Sequence, residues 1–400
     1  MIGPLALVTA LAGGATRIVQ DQCGSFTDVS PAFCPYVLEM YYLGITAGTS
    51  ATTFSPDNPV TRGQAAVFVS KAINQTLARS SRHAALGQWW TATSSSSWSA
   101  GLGITPMPDY PGPFGAMASD GTDIWVAGYS SVFRFRASDG RYLETWTIDA
   151  TAVASWLLVA TGRVFVGAFP VPGGGSPLGS LYIINPSQTA GNATLVATLP
   201  SNQLALAFDG ANIWSADASD VSIITLSPTA PWPVSTITTG FQYPVGVVFD
   251  GSNVWVADDG PCALLKVDNS GAVLQTVSLG SAGCYLNQPV FDGSNLLVPN
   301  RGVGLNVVRV SDGAVVKTIS PSTDGGPDRA AFDGERILVV SDGGGQDSPP
   351  DLMLLRAADF SILREEIFSP FGGSAPGGGT TDGLNFWVLF DVNGPVLARY

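Results

Sequence analysis

Hydrophobic and polar residues follow two different patterns along the chain. Within residues 21–80, apolar side chains recur at the spacing of an amphipathic helix, and we predict helices over Ala32–Leu43 and Arg62–Leu77. From residue 101 to residue 400, short apolar stretches alternate with turns rich in glycine and aspartate, which is typical of β-strands. The chain is therefore predicted to contain a small helical domain at 21–80, a connector at 81–100 and a large β domain at 101–400.

A short motif recurs throughout the β domain: Asp-Gly, two variable residues and an apolar strand. Aspartate accepts hydrogen bonds from nearby backbone N–H groups and glycine adopts positive φ without strain, so this pair favours a tight turn. Complete copies begin at Asp120, Asp209, Asp250, Asp292, Asp333 and Asp382, and a degenerate copy begins at Thr161. Seven copies at a spacing of about 42 residues predict a mostly β fold, namely a seven-bladed β-propeller with four-stranded blades.

The fourth copy shows how one blade is built. Its predicted strands are Gly246–Phe249, Val254–Ala257, Ala263–Val267 and Val273–Val277. Tryptophan recurs at one position of the second strand in four copies, as Trp125, Trp214, Trp255 and Trp387. We expect these large flat side chains to pack between neighbouring blades, with ligand stacking as the alternative.

The seventh copy contains only three predicted strands. They are Gly379–Thr381, Phe386–Phe390 and Pro395–Tyr400. Because an open sheet edge promotes aggregation, we expect a fourth strand to come from another part of the chain. Gln88–Thr93 contains two tryptophans and lies in the connector, so it is predicted to complete blade 7 and close the ring.

The charge and the apolar segments of the chain exclude several partners. The formal net charge is −13 and only 18 residues are lysine or arginine, whereas nucleic acid and anionic lipid both require clustered positive charge. Residues 5–15 are apolar and end in small residues, which predicts a secretion signal within 1–20; a short buried N-terminal segment is the alternative. No later stretch reaches the roughly 18 apolar residues of a membrane span, so none is expected.

The four cysteines form two local pairs, Cys23 with Cys34 and Cys262 with Cys284. An even number with local pairing predicts two disulfides and an oxidising compartment, and therefore a secreted or cell-envelope protein. The spacing is not that of a Cys-x-x-Cys motif and the chain has one histidine, which argues against a zinc site.

Four short motifs occur in a fixed order in the helical domain. They are Phe26-Thr27-Asp28-Val29, Gly44-Ile45-Thr46-Ala47-Gly48, Phe54-Ser55-Pro56-Asp57-Asn58 and Val60-Thr61-Arg62-Gly63-Gln64. In order and spacing they resemble the S-layer homology repeat, which implies a helix–loop–helix unit. The chain has one such repeat, whereas the family usually has three, and Gln64 stands where the family prefers glutamate.

The resemblance also implies a role for two residues at the start of the second helix. Thr61 and Arg62 lie in the segment that helps this family to bind anionic cell-envelope polysaccharide. A planar guanidinium suits a carboxylate-bearing sugar, while Thr61 also stands where a helix N-cap is expected. A local ion pair at the helix start is the alternative role for Arg62.

The β repeat is similar to the broad YVTN/NHL-like class of propellers, whose members bind, scaffold or catalyse. The one histidine, His83, lies outside residues 101–400. Histidine-dependent catalysis in the ring is therefore excluded, including a lyase of the streptogramin-cleaving kind and any Ser-His-Asp arrangement. A glycosidase or lyase that uses carboxylates alone needs no histidine and stays open as an alternative.

Polar residues recur just after the second strand of five blades. They are Asp217, Asp258, Asp259, Asn300, Arg301, Asp342 and Asp391. The repeat places them on the face of the ring that carries the loops between second and third strands. Such oxygen ligands could bind Ca²⁺, with Asp258 as a candidate, or a polar ligand. A solvated rim of loop aspartates is the alternative.

These observations predict a non-enzymatic secreted protein of the cell surface with a structural or interaction role. Its helical domain would act as an anchor or assembly element, with cell-envelope polysaccharide, further copies of the chain, or both as partners. Few charges and many small polar residues suit self-association into a surface layer or filament. A carbohydrate- or ligand-binding propeller is the alternative.

Overall fold

The computed structural model describes two compact units of the chain, Met1–Ser96 and Ser97–Tyr400. The predicted secretion signal at 1–20 lies outside the described residues, as does the predicted connector at 81–100. The described residues are 23, 26–30, 33–42, 45–69, 104–106, 115–137, 139–171, 178–201, 205–281, 284–321, 326–341, 351–367, 378–391 and 395–399.

The first unit contains helix α1 (Cys34–Tyr42), which confirms the first predicted helix. Residues 62–69 form a second helix, and the rest of the predicted Arg62–Leu77 helix lies outside the described residues. The predicted disulfide between Cys23 and Cys34 is present, with the two Cα atoms 5.3 Å apart. Both half-cystines pack with buried Phe26 and Val37, so the disulfide forms part of a small apolar core.

The second unit is a ring of seven antiparallel four-stranded sheets, which confirms the predicted propeller. Blades 1 to 3 contain β2 (Met117–Ser119), β3 (Asp123–Gly128), β4 (Ser131–Arg136), β5 (Tyr142–Thr147), β6 (Ala152–Ala160), β7 (Arg163–Pro170), β8 (Gly179–Ile184), β9 (Thr194–Leu199), β10 (Ala205–Phe208), β11 (Asn212–Ala216), β12 (Val221–Thr225) and β13 (Val234–Ile237). Blades 4 and 5 contain β14 (Pro244–Phe249), β15 (Val254–Asp258), β16 (Ala263–Val267), β17 (Val273–Ser278), β18 (Val290–Phe291), β19 (Asn295–Asn300), β20 (Gly304–Arg309) and β21 (Val315–Ile319). Blade 6 contains β22 (Pro327–Phe332), β23 (Arg336–Ser341), β24 (Asp351–Arg356) and β25 (Ile362–Ile367); blade 7 contains β26 (Gly378–Thr381), β27 (Phe386–Asp391), β28 (Pro395–Arg399) and β1 (Ile104–Pro106).

Blade 7 is completed by β1, which pairs antiparallel with β28. A strand that precedes blade 1 therefore closes the ring, as expected, but it is Ile104–Pro106 and not the predicted Gln88–Thr93, which lies outside the described residues. The strand closer to blade 1 closes the ring. Its outermost position tolerates Pro106, because a proline lacks the N–H group that an inner strand would need.

The Asp-Gly motif forms the turn between the first two strands of a blade. In blade 4, Gly251 has a φ of 91°, and Asp250 Oδ1 accepts hydrogen bonds from the N–H groups of Ser252 at 2.8 Å and Asn253 at 2.7 Å. The same arrangement recurs at Asp120, Asp209, Asp292, Asp333 and Asp382. The turn prediction is therefore confirmed in six blades.

Blade 2, the degenerate copy, uses a shorter connection. Ala160 pairs directly with Arg163, so Thr161 and Gly162 form a two-residue hairpin loop. Both loop residues have positive φ, 52° and 70°, as a type I′ turn requires. The strands β6 and β7 are correspondingly longer than their counterparts in the other blades.

The recurring tryptophans form the core between blades. Each of the four is fully buried, and each packs against apolar residues of the second strand in the following blade; Trp255, for example, packs with Leu296 and Val298. The packing prediction is therefore confirmed. Each indole N–H also donates a hydrogen bond to the aspartate of its own turn, as Trp255 does to Asp250 Oδ2 at 2.7 Å. One aspartate thus ties the turn to the core between blades.

Candidate functional site

The start of the second helix in the first unit is a capping box. Gln64 N–H donates to Thr61 Oγ1 at 3.2 Å, and Thr61 N–H donates to Gln64 Oε1 at 2.9 Å. Each side chain therefore satisfies a backbone donor of the other residue. Gln64 can make this contact in place of the glutamate that the S-layer homology family prefers. Arg62 follows Thr61 and is exposed, and among the described residues it makes no ion pair.

Asp28 holds the loop between the two helices. Its carboxylate accepts hydrogen bonds from the N–H groups of Phe54 at 2.8 Å and Ser55 at 2.7 Å. These backbone bonds hold the pKa of Asp28 below its usual value, the Phe54 bond most strongly. Gly48, with a φ of 79°, has no room for a side chain, because a Cβ would lie 2.6 Å from the Phe26 ring. The motif residues thus determine the shape of this unit.

In the propeller, the polar position at the end of the second strand is buried. Asp217, Asp258 and Asn300 occupy it in blades 3, 4 and 5, and Ser341 occupies it in blade 6; all four are fully buried. Three of the predicted rim residues, Asp217, Asp258 and Asn300, are therefore buried and not solvated. None of the rim residues that the structure describes lines the cavity that the innermost strands enclose along the axis of the ring.

Asp258 binds the backbone of its own blade. One carboxylate oxygen accepts a hydrogen bond from Gln242 N–H at 2.8 Å, and the other accepts from Tyr243 N–H at 2.7 Å and Gly260 N–H at 3.2 Å. These three N–H donors stabilise the negative charge of the Asp258 carboxylate itself, and such an arrangement does not favour a bound cation. Ca²⁺ binding at Asp258 stays a prediction, which melting curves with and without a chelator would test.

The other described rim residues also contact protein groups. Asp259 Oδ1 accepts a hydrogen bond from Leu286 N–H at 2.8 Å, and burial raises its pKa. Asn300 accepts from Gly302 N–H at 3.1 Å. Exposed Arg301 donates to Asp328 at 2.6 Å. Asp342 lies outside the described residues, and Asp391 is the last residue of β27.

Asp217 differs from the other rim residues because its closest partners include a second carboxylate. Ser215 Oγ and Ser222 Oγ donate to it, the latter at 2.7 Å. Burial raises the pKa of Asp217 to about 7, and neighbouring Asp220 contributes to the rise. One oxygen of Asp220, Oδ1, is itself buried without a hydrogen-bond partner. Asp217 therefore holds a proton up to a higher pH than an ordinary aspartate does.

The disulfide predicted between Cys262 and Cys284 is present, with the Cα atoms 5.7 Å apart. It joins the start of β16 to the connection that leads into blade 5. Leu279 N–H donates to the Cys262 carbonyl at 2.9 Å, and both half-cystines pack in the core between blades 4 and 5. The disulfide therefore supports the same connection that Asp259 binds through Leu286 N–H.

The innermost strands enclose a cavity of about 340 Å³ along the axis of the ring. Its lining comes from all seven blades and is mainly apolar. Two large side chains stand out, Trp156 of β6 and Arg329 of β22. The guanidinium of Arg329 lies 5.2 Å from the centre of the Trp156 ring, although one residue belongs to blade 2 and the other to blade 6.

A network of polar side chains surrounds Arg329. Its Nη1 donates to Asn287 Oδ1 at 3.0 Å and to the Asp328 carbonyl at 3.1 Å. Asp328 is buried and accepts two hydrogen bonds from Arg301, at 2.6 Å and 3.1 Å, and one from Asn287 at 3.0 Å. Of the predicted rim residues, Arg301 thus belongs to this network.

Sequence reasoning did not identify Trp156, Asp328 or Arg329. Trp156 lies at an irregularity of the first strand of the degenerate blade, where the pairing of β6 with β7 skips Ser155. A bulge of this kind redirects a side chain. The one available signal for Trp156 was that this tryptophan lies outside the register of the other four. Its contact with Arg329 across the ring could not be predicted from the repeat.

Among the described residues, no group of three or more His, Cys, Asp or Glu side chains is placed to bind a metal ion. The helices of this part of the chain lack the length and hydropathy needed to cross a membrane.

Comparisons with known proteins found matches to both units. A family model, the S-layer homology domain, matches residues 25–66. Similar solved structures include the streptogramin B lyase structure, with a TM-score of 0.57 and 14% identity over 76% of this chain and 99% of that chain. A chain of the mitotic checkpoint complex has a TM-score of 0.55 and 11% identity over 77% of this chain and 96% of that chain. No curated protein matches the sequence.

At these identities the two solved structures show the propeller fold alone. The S-layer homology match indicates a protein of the cell surface or envelope, and the two disulfides fit an extracellular location. Fold and match together define the class, a cell-surface or envelope protein with a seven-bladed propeller.

Proposed function

We propose that the first unit attaches the protein to cell-envelope polysaccharide and that the propeller is a non-enzymatic structural or interaction module which associates with copies of itself. The observation that carries this proposal is the S-layer homology match at residues 25–66, whose motif residues build a disulfide-bonded unit. Arg62 supports attachment, because an exposed guanidinium beside a capped helix start can bind a carboxylate-bearing sugar.

Two features support a role without catalysis. Residues 97–400 contain no histidine, so the commonest general base is missing from the propeller. Asp258 and Asn300, which are repeat-equivalent polar residues, are buried and hydrogen-bonded to loop backbone. Their contacts account for them as structural groups.

The outer strands support self-association. In blades 4, 5 and 6 the outermost strand begins with two exposed apolar residues, Val273 with Leu274, Val315 with Val316, and Ile362 with Leu363. Each of these strands is also the edge of its sheet. Apolar side chains beside an edge strand favour contact with another protein surface.

Attachment is tested by cosedimentation with cell envelopes stripped of protein. The full chain is expected to sediment with the envelopes, whereas a fragment of residues 97–400 is expected to stay in solution. The variant Arg62→Gln should bind more weakly than the variant Lys71→Gln, which serves as a charge-matched control. Equal sedimentation of the full chain and the fragment would contradict attachment through the first unit.

Self-association is tested by sedimentation velocity over a range of protein concentrations. We expect large regular species from the native chain and smaller ones from a Leu274→Lys, Leu363→Lys variant. A ligand-binding propeller is the second candidate function, and the central cavity favours it. A monomer at every concentration, together with binding on a glycan array, would support that candidate and contradict self-association.

A further inference from the structure

We propose that the central cavity of the propeller binds a small molecule with one carboxylate group, which Arg329 binds while Trp156 holds the guanidinium in place. This ligand site is separate from the envelope attachment of the first unit. It is also separate from the exposed outer strands on which the proposed self-association depends.

The hydrogen bonds of Arg329 leave one edge of its guanidinium unused. The hydrogen bonds that its side chain makes to the described residues all come from Nη1, to Asn287 Oδ1 at 3.0 Å and to the Asp328 carbonyl at 3.1 Å. Nε and Nη2 make no hydrogen bond to any residue that the structure describes. This is one of the edges through which a guanidinium binds both oxygens of a carboxylate.

Arg134, another arginine that lies over a tryptophan, does not share this feature. Its guanidinium lies 5.0 Å from the centre of the Trp125 ring of β3. Its three nitrogens are all used, however: Nε and Nη2 contact Asp123, and Nη1 donates to Glu144 and to the Pro186 carbonyl. Arg134 is thus paired through all three of its nitrogens, whereas Arg329 retains two donor nitrogens.

The position of Arg329 is held from two sides. The centre of the Trp156 ring lies 5.2 Å from the guanidinium across the ring of blades, and Asn287 and the Asp328 carbonyl accept hydrogen bonds from Nη1. Blades 2 and 6, which carry the stacked pair, are separated by two blades on one side and three on the other. The Arg329 side chain is therefore held in place by contacts with two blades, and little side-chain entropy remains to be lost on binding.

The local charge favours an anion. Asp328 lies 3.6 Å from Arg329 Nη1, but it also forms an ion pair with Arg301 at 2.6 Å. One carboxylate thus faces two guanidinium groups. The Arg329 side chain is 25% exposed, so a small molecule that enters the cavity can reach it. The indole N–H of Trp156, a residue that lines the cavity, has no partner among the described residues.

The remaining lining determines what else the ligand must carry. It is largely apolar and includes Leu158, Val248, Phe291 and Phe332. The cavity volume of about 340 Å³ is at the lower end of the range for small-molecule sites. Gln288, the other large polar side chain there, accepts a hydrogen bond from the Val247 N–H and donates one to the Val247 carbonyl, so its amide is already used. The site therefore suits a monocarboxylate with a compact apolar or aromatic body.

The experiment is isothermal titration calorimetry of the full chain with three probes that share a benzyl group and differ in the polar end: phenylacetate, 2-phenylethanol and 2-phenylethylammonium. We expect saturable binding of phenylacetate and at least about tenfold weaker binding of the other two, because only the anion can pair with the guanidinium. Equal binding of phenylacetate and 2-phenylethanol would overturn the proposal. So would the absence of binding by phenylacetate, benzoate and hexanoate at about 10 mM.

Variants assign the binding to Arg329. Arg329→Gln should weaken phenylacetate binding at least about tenfold, whereas Arg309→Gln, an exposed arginine paired only with Asp312, should leave it unchanged. Native affinity in Arg329→Gln would overturn the proposal. If that variant does not fold, Arg329→Lys keeps the positive charge but lacks the paired donors of a guanidinium. Native affinity in Arg329→Lys would equally overturn the proposal. Envelope cosedimentation is expected to be unaffected, so failure here is distinguishable from failure of the proposed function.

Discussion

At the scale of single residues, the blade turns depend on an aspartate that binds three donors at once. Asp250 accepts hydrogen bonds from the N–H groups of Ser252 and Asn253 and from the indole of Trp255. Blade 5 has Leu297 in place of tryptophan, and there Asp292 accepts from the side chain of Asn295, a contact that blades 3 and 7 make in addition to their tryptophans. The aspartate therefore keeps a side-chain donor even when the tryptophan is absent.

Removal of this aspartate is predicted to destabilise the propeller. Asp250→Ala leaves three donors without an acceptor, so the free energy of unfolding should fall by about 1.5–3 kcal/mol. Chemical denaturation followed by tryptophan fluorescence measures the change. Asp268→Ala is the matched control, because Asp268 accepts hydrogen bonds only within an exposed turn and its loss should cost less. Equal losses in the two variants would contradict the link between turn and core.

A second prediction at this scale concerns pH. The pKa of Asp217 is raised from 3.8 to about 7 in the folded protein, so between these values the folded state holds a proton that the unfolded state releases. The stability that this group contributes is therefore complete below about pH 4 and is lost as the pH rises towards 7.

Asp217→Asn cannot titrate and should be free of this loss. As the pH rises from 4 to 7, the free energy of unfolding of Asp217→Asn should therefore increase relative to that of the native chain by at most about 1.4 kcal/mol per pH unit. Urea denaturation at several pH values measures it, and Asp312→Asn, at an exposed aspartate, serves as control. A pH-independent difference between the native chain and Asp217→Asn would contradict the assignment.

At the scale of elements, the repeat made most of the fold predictable. Asp-Gly and the following apolar strand identify the inner half of each blade, because turn chemistry and alternation are local properties. In blade 4 the predicted strand Ala263–Val267 agrees with β16 at both ends. Prediction was less successful where local signals are weak, as in β1, which has three residues and ends in a proline.

The candidate site was predicted less well than the fold. The repeat placed Asp258 at the end of a strand, but it could not show that the carboxylate turns back to the Gln242 and Tyr243 N–H groups. Trp156 and Arg329 belong to no motif and lie far apart in sequence. Their contact arises only when blades 2 and 6 face each other across the closed ring.

Ring closure gives a prediction for the elements themselves. A fragment of residues 97–400 contains all four strands of blade 7 and is expected to be folded and soluble. A fragment of residues 107–400 lacks β1 and exposes the edge of β28, so it should melt at a lower temperature or aggregate. Thermal unfolding and size-exclusion chromatography compare the two. Identical melting temperatures would show that β1 does not hold the ring closed.

At the scale of the whole molecule, the two units divide the proposed function between them. The first unit has the motif residues of an S-layer homology domain, a disulfide-bonded core and an exposed arginine. The propeller has buried polar groups that serve the fold and exposed apolar residues on its outer strands. The central claim is that the first unit attaches the protein to the cell envelope and so displays the propeller at the cell surface.

Labelling of intact native cells tests that claim most directly. Antibodies raised against residues 97–400 are applied without permeabilisation and the cells are imaged by electron microscopy. We predict dense label along the outer surface, and its loss from cells that produce Arg62→Gln, because attachment then fails and the protein is released. Label that appears only after the cells are permeabilised would contradict surface display, and unchanged surface label on Arg62→Gln cells would contradict attachment through Arg62.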